Sequence, residues 1–257
     1  MEPQIQVQSS KKTNKILSAL SAADYARIAP NLKLIHLAQG EKLYSTGEGC
    51  KWSWFLLDGL LSVAAETEEG ETMDVGMIGT EGAAGMLAAF HDWQAPFTAT
   101  VEIRGQAMRI SAVALKEEIN RLSELQVALL KYTAFLYHQI ARSVLCGRFH
   151  QTERRLCRFL LTISDRIGSP IIPLKHERLS HLIGAHRPRV TGTLNKLAAQ
   201  KLLQLTRGKI VILDRAELET HACSCYTIID DAMTRYLAHL SQRPNQMSTR
   251  KSVGPPS

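Results

Sequence analysis

Residues 174–214 read LKHERLSHLIGAHRPRVTGTLNKLAAQKLLQLTRGKIVILD, and this stretch decides the fold of the C-terminal part of the chain. Leu179, Leu182 and Ile183 recur at helical spacing, Gly184-Ala185 interrupts them, and Val190, Leu194, Leu197 and Ala198 resume the period at once. Two helices joined so tightly cannot lie side by side. They cross steeply, as in a helix-turn-helix, whose first helix braces the backbone while the second enters a groove of duplex DNA. His186, Arg187, Pro188, Arg189 and Thr191 open the second helix. Arginine there forks onto guanine edges or pairs with phosphate, and proline is harmless in a first helical turn. Leu203-Gln204-Leu205 and Ile210-Val211-Ile212 flank Thr206-Arg207-Gly208-Lys209, a hairpin with two cations at its tip. Following a recognition helix, it reads as a wing whose job is phosphate contact rather than an ordinary exposed turn.

The charge distribution agrees. The chain of 257 residues carries a formal net charge of +7, but residues 21–113 hold six basic against twelve acidic side chains, whereas residues 147–221 hold fourteen against six. The positive charge sits with the helix-turn-helix, as phosphate attraction requires; a merely solvated basic surface would need no such motif. An apolar content of 45% is globular, and the length suits two modest cores. No apolar run approaches the ~18 residues of a membrane span. The N-terminal MEPQIQVQSSKKTNK lacks the apolar centre of a signal peptide, so a cytoplasmic protein with no membrane partner is expected. Five scattered cysteines (Cys50, Cys146, Cys157, Cys223, Cys225) form no disulfide framework and suit a reducing compartment.

Working outward, Gln151 to Ile167 reads as an amphipathic helix packing Leu156, Phe159, Leu160 and Ile163 against the helix-turn-helix. Before it, Ser123 with Gln126 three residues later marks a capped start to a helix reaching about Cys146. Its stripe of Leu129, Thr133, Leu136, Ile140 and Val144, in steps of four, three, four and four, reads as the seam of a two-helix contact, and Leu125, Leu130, Phe135 and Tyr137 add a second apolar side. It is expected to be a dimerisation helix. From Leu32 to Ile110, short runs (LKLIHL, WSWFLL, LLSVAA, MDVGMI, ATVEI, AMRI) are separated by turns at Gly40, Gly47, Gly59, Gly70 and Gly79, which indicates an antiparallel jelly roll. A short helix around Leu115, Ile119 and Leu122 follows the roll, and one amphipathic helix from Lys15 to Ala29 precedes it. The expected class is α+β: an N-terminal antiparallel β-roll, a long dimerisation helix and a C-terminal winged helix-turn-helix. The expected boundaries are a disordered tail at 1–14, a sensor domain at 15–122, the dimerisation helix at 123–146, the DNA-binding domain at 147–226 and a partly disordered extension at 227–257.

This order of parts resembles the Crp/Fnr family of bacterial transcription regulators over roughly residues 15–221. The motifs that carry the resemblance are LAQGEKLYSTGEGCKWSWFLLDGLLSV (37–63), HERLSHLIGAHRPRVTGTLNKLAAQKLL (176–203) and TRGKIVILDRAELE (206–219), with ACSCY (222–226) looking like a subgroup ending. The resemblance implies a cyclic-nucleotide-binding-like roll and a homodimer on a palindromic operator, with RNA polymerase as a further partner. The family's invading arginine matches Arg187; its next base-reading position, usually acidic, is Pro188; Arg189 stands where a small hydroxyl residue is common, and Gly192 where a further arginine is. Lys175 and Glu177 match positions near the DNA backbone, of which only Lys175 suits phosphate. The expected DNA-facing set is therefore Lys175, His186, Arg187, Arg189, Thr191, Asn195, Arg207 and Lys209. Arg187 and Arg189 would sit on base edges, Thr191 and Asn195 beside them, and Lys175, Arg207 and Lys209 on phosphates.

The resemblance also locates an effector pocket around Gly82, Ala83, Gly85, Phe97 and Thr98. Members that bind cyclic nucleotides use a Gly-Glu pair and, about eleven residues on, an Arg-Ser pair. Here Ala83 follows Gly82, Glu81 precedes it, and residues 94–98 contain no cation. A cyclic phosphate buried without a counter-charge is strongly unfavourable, so cyclic AMP is not supported. Neither is haem, nor an iron–sulfur cluster, since the roll contains only Cys50. No cofactor and no metal ligand set is assigned.

Trp52 and Trp54 share a strand face, with Trp93 in a later loop; packing is favoured over an effector pocket. His221, Cys223 and Cys225 form H-x-C-x-C, which lacks a fourth ligand and zinc-knuckle spacing, so structural thiols are expected. Cys146 and Cys157 bracket the hinge before the DNA-binding domain, a weak case for a redox switch, and His150 beside them reads as solvated. The competing enzyme class, a cupin-type barrel, needs clustered histidines, whereas the roll offers only His36 and His91; no nucleophile elbow or phosphate loop appears. A winged helix that has lost DNA binding is the third reading, and the cations at Arg187, Arg189, Lys175, Arg207 and Lys209 argue against it.

Overall fold

The computed structural model describes residues 14–89 and 94–241. Two short helices come first, α1 (Lys15–Ala19) and α2 (Ala22–Ile28). The single helix expected over this stretch is broken because Ser21 caps a new start, its side chain accepting from Asp24 N–H, while Asn14 caps the first. The roll follows as β1 (Lys33–Leu37), β2 (Lys42–Tyr44), β3 (Trp52–Leu56), β4 (Leu60–Glu66), β5 (Thr72–Ile78), β6 (Ala83–Ala84), β7 (Thr98–Ile103) and β8 (Gly105–Ser111). Two antiparallel sheets, ordered β1-β8-β3-β6 and β2-β7-β4-β5, face each other over Phe55, Leu61, Val63, Val101 and Met108. The antiparallel roll is thus as expected. The strands β2 and β6 went unread because three and two residues are too short for a periodic signal.

After the roll come α3 (Ala112–Asn120) and α4 (Glu124–Phe149), the latter capped by Ser123, whose hydroxyl accepts from Gln126 N–H. Leu122 lies outside both helices at φ +54 and is exposed. The long helix differs from expectation in which face is free. Leu129 is fully buried, and Leu136 and Ile140 pack against the roll's core, as do Leu125 and Phe135. The exposed face is instead Leu130, Ala134, Tyr137, Ala141 and Val144, a four-three seam shifted by one residue at its first four positions, with Val144 common to both and Tyr137 75% exposed. The rotation has a physical cause. A last helix, α9 (Cys225–Ser241), lies against α4, and Tyr236 stacks on Phe135 with ring centroids 5.4 Å apart, which fixes the inward face.

The C-terminal unit comprises α5 (Thr152–Ile167), β9 (Ile171–Ile172), α6 (His176–Leu182), α7 (Arg187–Ala199), β10 (Leu203–Thr206), β11 (Lys209–Ile212) and α8 (Arg215–His221). The wing hairpin registers Leu203 with Ile212 and Thr206 with Lys209, and β9 adds an unforeseen third strand through Ile172 and Ile210. Leu156, Leu160, Leu179, Val190, Leu194 and Ile210 form its core, which is continuous with Leu60, Met77 and Ile103 of the roll. The helix α9 crosses the 226/227 boundary and is regular to Ser241. Most of the expected N-terminal tail, the end of the extension, and Trp93 and His91 lie outside the described residues.

Candidate nucleic-acid interface

The turn between α6 and α7 passes through Gly184 at φ +58, a conformation a side chain would strain. His186 is the N-cap of α7, and Pro188 sits in its first turn, where a missing N–H costs nothing. Val190, Leu194 and Leu197 bury one face. Arg187, Thr191 and Asn195, spaced by four, share a strip beside that face. His186, Arg187, Arg189 and Asn195 are exposed, whereas Thr191 is half-buried, its Oγ1 3.4 Å from His176 Nδ1. Thr191 is therefore engaged with the first helix. Burial, and next the Arg187 charge, hold His176 below the usual histidine range, favouring its neutral ring.

Lys175 caps α6 and is exposed, and Arg207 and Lys209 stand at the wing tip, also exposed. Arg187 Nη1 lies 4.0 Å from Glu177 Oε2, both largely in water, a pair too weak to hold the guanidinium. Among the described residues Lys175, Arg189, Arg207 and Lys209 have no ion-pair partner. A Cβ at Gly192 would meet nothing within 4 Å. Lys196, by contrast, is tied to Glu153 of α5 at 2.8 Å.

In the roll, Ala83, Gly85 and Phe97 line one cavity of about 50 Å³ with Tyr44, Cys50 and Met86, and among the described residues no cation lines it. Gly82 and Thr98 lie outside that lining. A Cβ on Gly82 would fall 2.3 Å from the Tyr132 ring, so the glycine admits α4 against the roll. Thr98 Oγ1 accepts from Thr46 N–H at 3.0 Å. Trp54 is core, stacked on Tyr44 at 5.9 Å, and Trp52 carries the Arg109 guanidinium 4.1 Å above its ring. His36 is exposed on β1.

Two ion pairs missed from sequence join the roll to the C-terminal unit. Arg178 of α6 donates to both carboxylate oxygens of Glu102 on β7, and Ser62 donates to Glu102 Oε1 at 2.6 Å. Arg166 of α5 pairs with buried Glu81 and donates to Gln139 Oε1 at 2.8 Å and Met77 O at 3.3 Å. The available signal was Glu102 inside the apolar run ATVEI, since a buried carboxylate requires a cation.

The thiols also sit differently from expectation. Cys146 meets Cys223 rather than Cys157, with Sγ atoms 3.5 Å apart, and Cys225 Sγ is 3.6 Å from His150 Nδ1. His221 turns away, toward Glu153 and Glu217 at 3.6 Å each. H-x-C-x-C alone lacks a fourth ligand; the fold brings Cys146 and His150, from the end of α4, to Cys223 and Cys225.

Residues 154–221 match the family model of the Crp-like helix-turn-helix domain. No curated protein sequence matches the chain significantly. Among solved structures, the fold resembles a protein from Eubacterium rectale assigned to the Crp/Fnr family of transcriptional regulators (21% identity, TM-score 0.63, 80% of this chain and 96% of that one). It also resembles FixK2 of Bradyrhizobium japonicum (15%, TM-score 0.65, 75% and 98%). A third is the c-di-GMP responsive global regulator CLP of Xanthomonas campestris (16%, TM-score 0.62, 76% and 100%). The C-terminal unit thus has the winged helix-turn-helix fold. Residues 154–221 form a Crp-like helix-turn-helix domain, and the chain as a whole has the fold of Crp/Fnr regulators.

Proposed function

We propose that the protein is a transcription regulator that binds duplex DNA as a homodimer, with the roll setting the position of the helix-turn-helix. The observation that carries this reading is the exposed cationic set of Arg187 and Arg189 on the first turn of α7, Lys175 at the start of α6, and Arg207 and Lys209 on the wing, of which only Arg187 has an ion-pair contact, a long exposed one to Glu177. His186 and Asn195 complete the polar surface, and Thr191 positions α7 through His176. The seam Leu130–Ala134–Tyr137–Ala141–Val144 supports a two-helix contact between copies, since a soluble protomer gains by covering an apolar stripe of this spacing. We assign 15–122 to sensing, 123–146 to dimerisation and 147–226 to DNA binding, with the described part of 227–257, to Ser241, bracing α4 as α9. Coupling runs through Arg178–Glu102 and Arg166–Glu81, which fix the DNA-binding unit on the roll. Gly82, Ala83, Gly85, Phe97 and Thr98 remain the candidate effector region, and its small cavity, without a cation among the described residues, favours an uncharged ligand over a cyclic phosphate.

Selection of bound sites from random duplex DNA tests this function. A recovered two-fold symmetric consensus supports it; an unenriched pool at low ionic strength overturns it.

A further inference from the structure

Four side chains from two separate segments converge where α4 hands over to the helix-turn-helix unit. Cys146 lies in the last turn of α4, His150 is its C-cap, and Cys223 and Cys225 sit at the junction of α8 and α9. The three cysteines are buried and His150 is half-buried. All four donor atoms lie within 4.8 Å of one another. The pairs Cys146 Sγ–Cys223 Sγ at 3.5 Å and Cys225 Sγ–His150 Nδ1 at 3.6 Å can be compared with a tetrahedral zinc site. Bond lengths of about 2.3 Å to sulfur and about 2.0 Å to nitrogen give S–S edges near ~3.8 Å and S–N edges near ~3.5 Å.

From this geometry we infer that Cys146, His150, Cys223 and Cys225 form a mononuclear site for a thiophilic divalent cation of the zinc class. The donor set selects the metal: three thiolates and an imidazole favour zinc-like ions over the oxygen-seeking magnesium and calcium. The compactness fixes the nuclearity, because an iron–sulfur cluster spreads its cysteines over different iron atoms. Four protein ligands leave no open position, so the site is structural rather than catalytic.

Charge points the same way. Three thiolates around a divalent ion leave one net negative charge, and a cation waits beside it. Arg158 is only 4% exposed, acts electrostatically on all three thiols, and its Nε has no hydrogen-bond partner among the described residues. A buried guanidinium without an anion is costly, and an anionic metal centre supplies one as its outer-shell partner. The segment is already docked there, since Cys223 N–H donates to Arg154 O at 3.3 Å. The bound ion ties the end of the long helix to the far end of the helix-turn-helix domain, and so fixes the hinge between them.

The test uses the full chain, reduced, stripped with a chelator and titrated anaerobically with cobalt(II). The expected result is saturation at one ion per chain, with the visible bands of tetrahedral cobalt and thiolate charge transfer, both abolished by added zinc. Cys223→Ser and Cys225→Ser should each weaken binding by more than the roughly 10- to 100-fold typical of outer-shell changes, while Cys50→Ser binds as wild type. Zinc should raise the melting temperature of wild type but not of Cys223→Ser. An octahedral spectrum, no uptake, or an unchanged spectrum in Cys223→Ser overturns the assignment, as does a Cys146–Cys223 disulfide that blocks uptake until it is reduced and still leaves the reduced protein without tetrahedral cobalt. Should the serine variants fail to fold, the wild-type spectrum and stoichiometry decide alone.

Discussion

Arg178, on the first helix of the helix-turn-helix, grips Glu102, a side chain that β7 buries to 1% exposure inside the roll. The two belong to different structural units, so this pair holds the helix-turn-helix in one orientation relative to the roll.

Removing the cation alone should therefore be costly. Arg178→Met leaves the Glu102 carboxylate buried with Ser62 as its nearest donor, a loss on the order of 3 kcal/mol. The figure is reduced somewhat because the Arg178 side chain is 34% exposed. The double variant Arg178→Met/Glu102→Leu should recover much of it. Urea melts and a double-mutant cycle measure the coupling, and a single variant as stable as wild type contradicts the latch.

Asp74 has an opposite fault. Its Oδ1 is buried without a partner, and its carboxyl is pushed above the ordinary value of 3.8, first by burial, with Arg178 opposing and Glu102 adding to the rise. A raised acid contributes stability below its unfolded value and loses it as pH climbs through the folded one. Asp74→Asn should thus stabilise the protein at neutral pH, with the gap narrowing as pH falls and closing below about 3.8. Chemical denaturation across that range reads it out; a variant weaker than wild type at neutral pH refutes it.

On DNA, Arg187→Ala should lose on the order of 1–3 kcal/mol on the selected site and relax preference at one base pair. Lys209→Ala should weaken selected and random duplexes alike and lower the salt slope by about one. Fluorescence anisotropy over a salt series separates the two. Equal losses on both kinds of duplex for Arg187→Ala would remove it from the base-reading role.

The seam predicts a separation of assembly from folding. Tyr137→Asp places a charge on the exposed stripe and should yield a folded monomer with weakened DNA binding. Leu129→Asp, facing the core, should unfold the protomer instead. Sedimentation velocity with circular dichroism distinguishes these outcomes, and a dimeric Tyr137→Asp variant would move the contact elsewhere.

The parts legible in sequence were those encoded locally. The helical periods on either side of Gly184 and the hairpin around Gly208 each lie within a few residues, and the structure has them where expected. What stayed hidden depends on distant chain. Leu129 and Leu130 look equivalent until Tyr236, more than a hundred positions later, covers one side of the helix. Cys223 and Cys225 lack ligands until α4 and its cap deliver Cys146 and His150. Arg166 and Arg178 count as generic positive charge until the roll presents Glu81 and Glu102. Hydrophobic period reveals that a face is apolar but not which element will cover it.

The most direct test of the account is the stoichiometry and spacing of the complex on a selected duplex, measured by sedimentation together with footprinting. Two chains per duplex, protecting half-sites about one helical turn (~10 bp) apart, are predicted. One chain per duplex, or no complex at low salt, would contradict it.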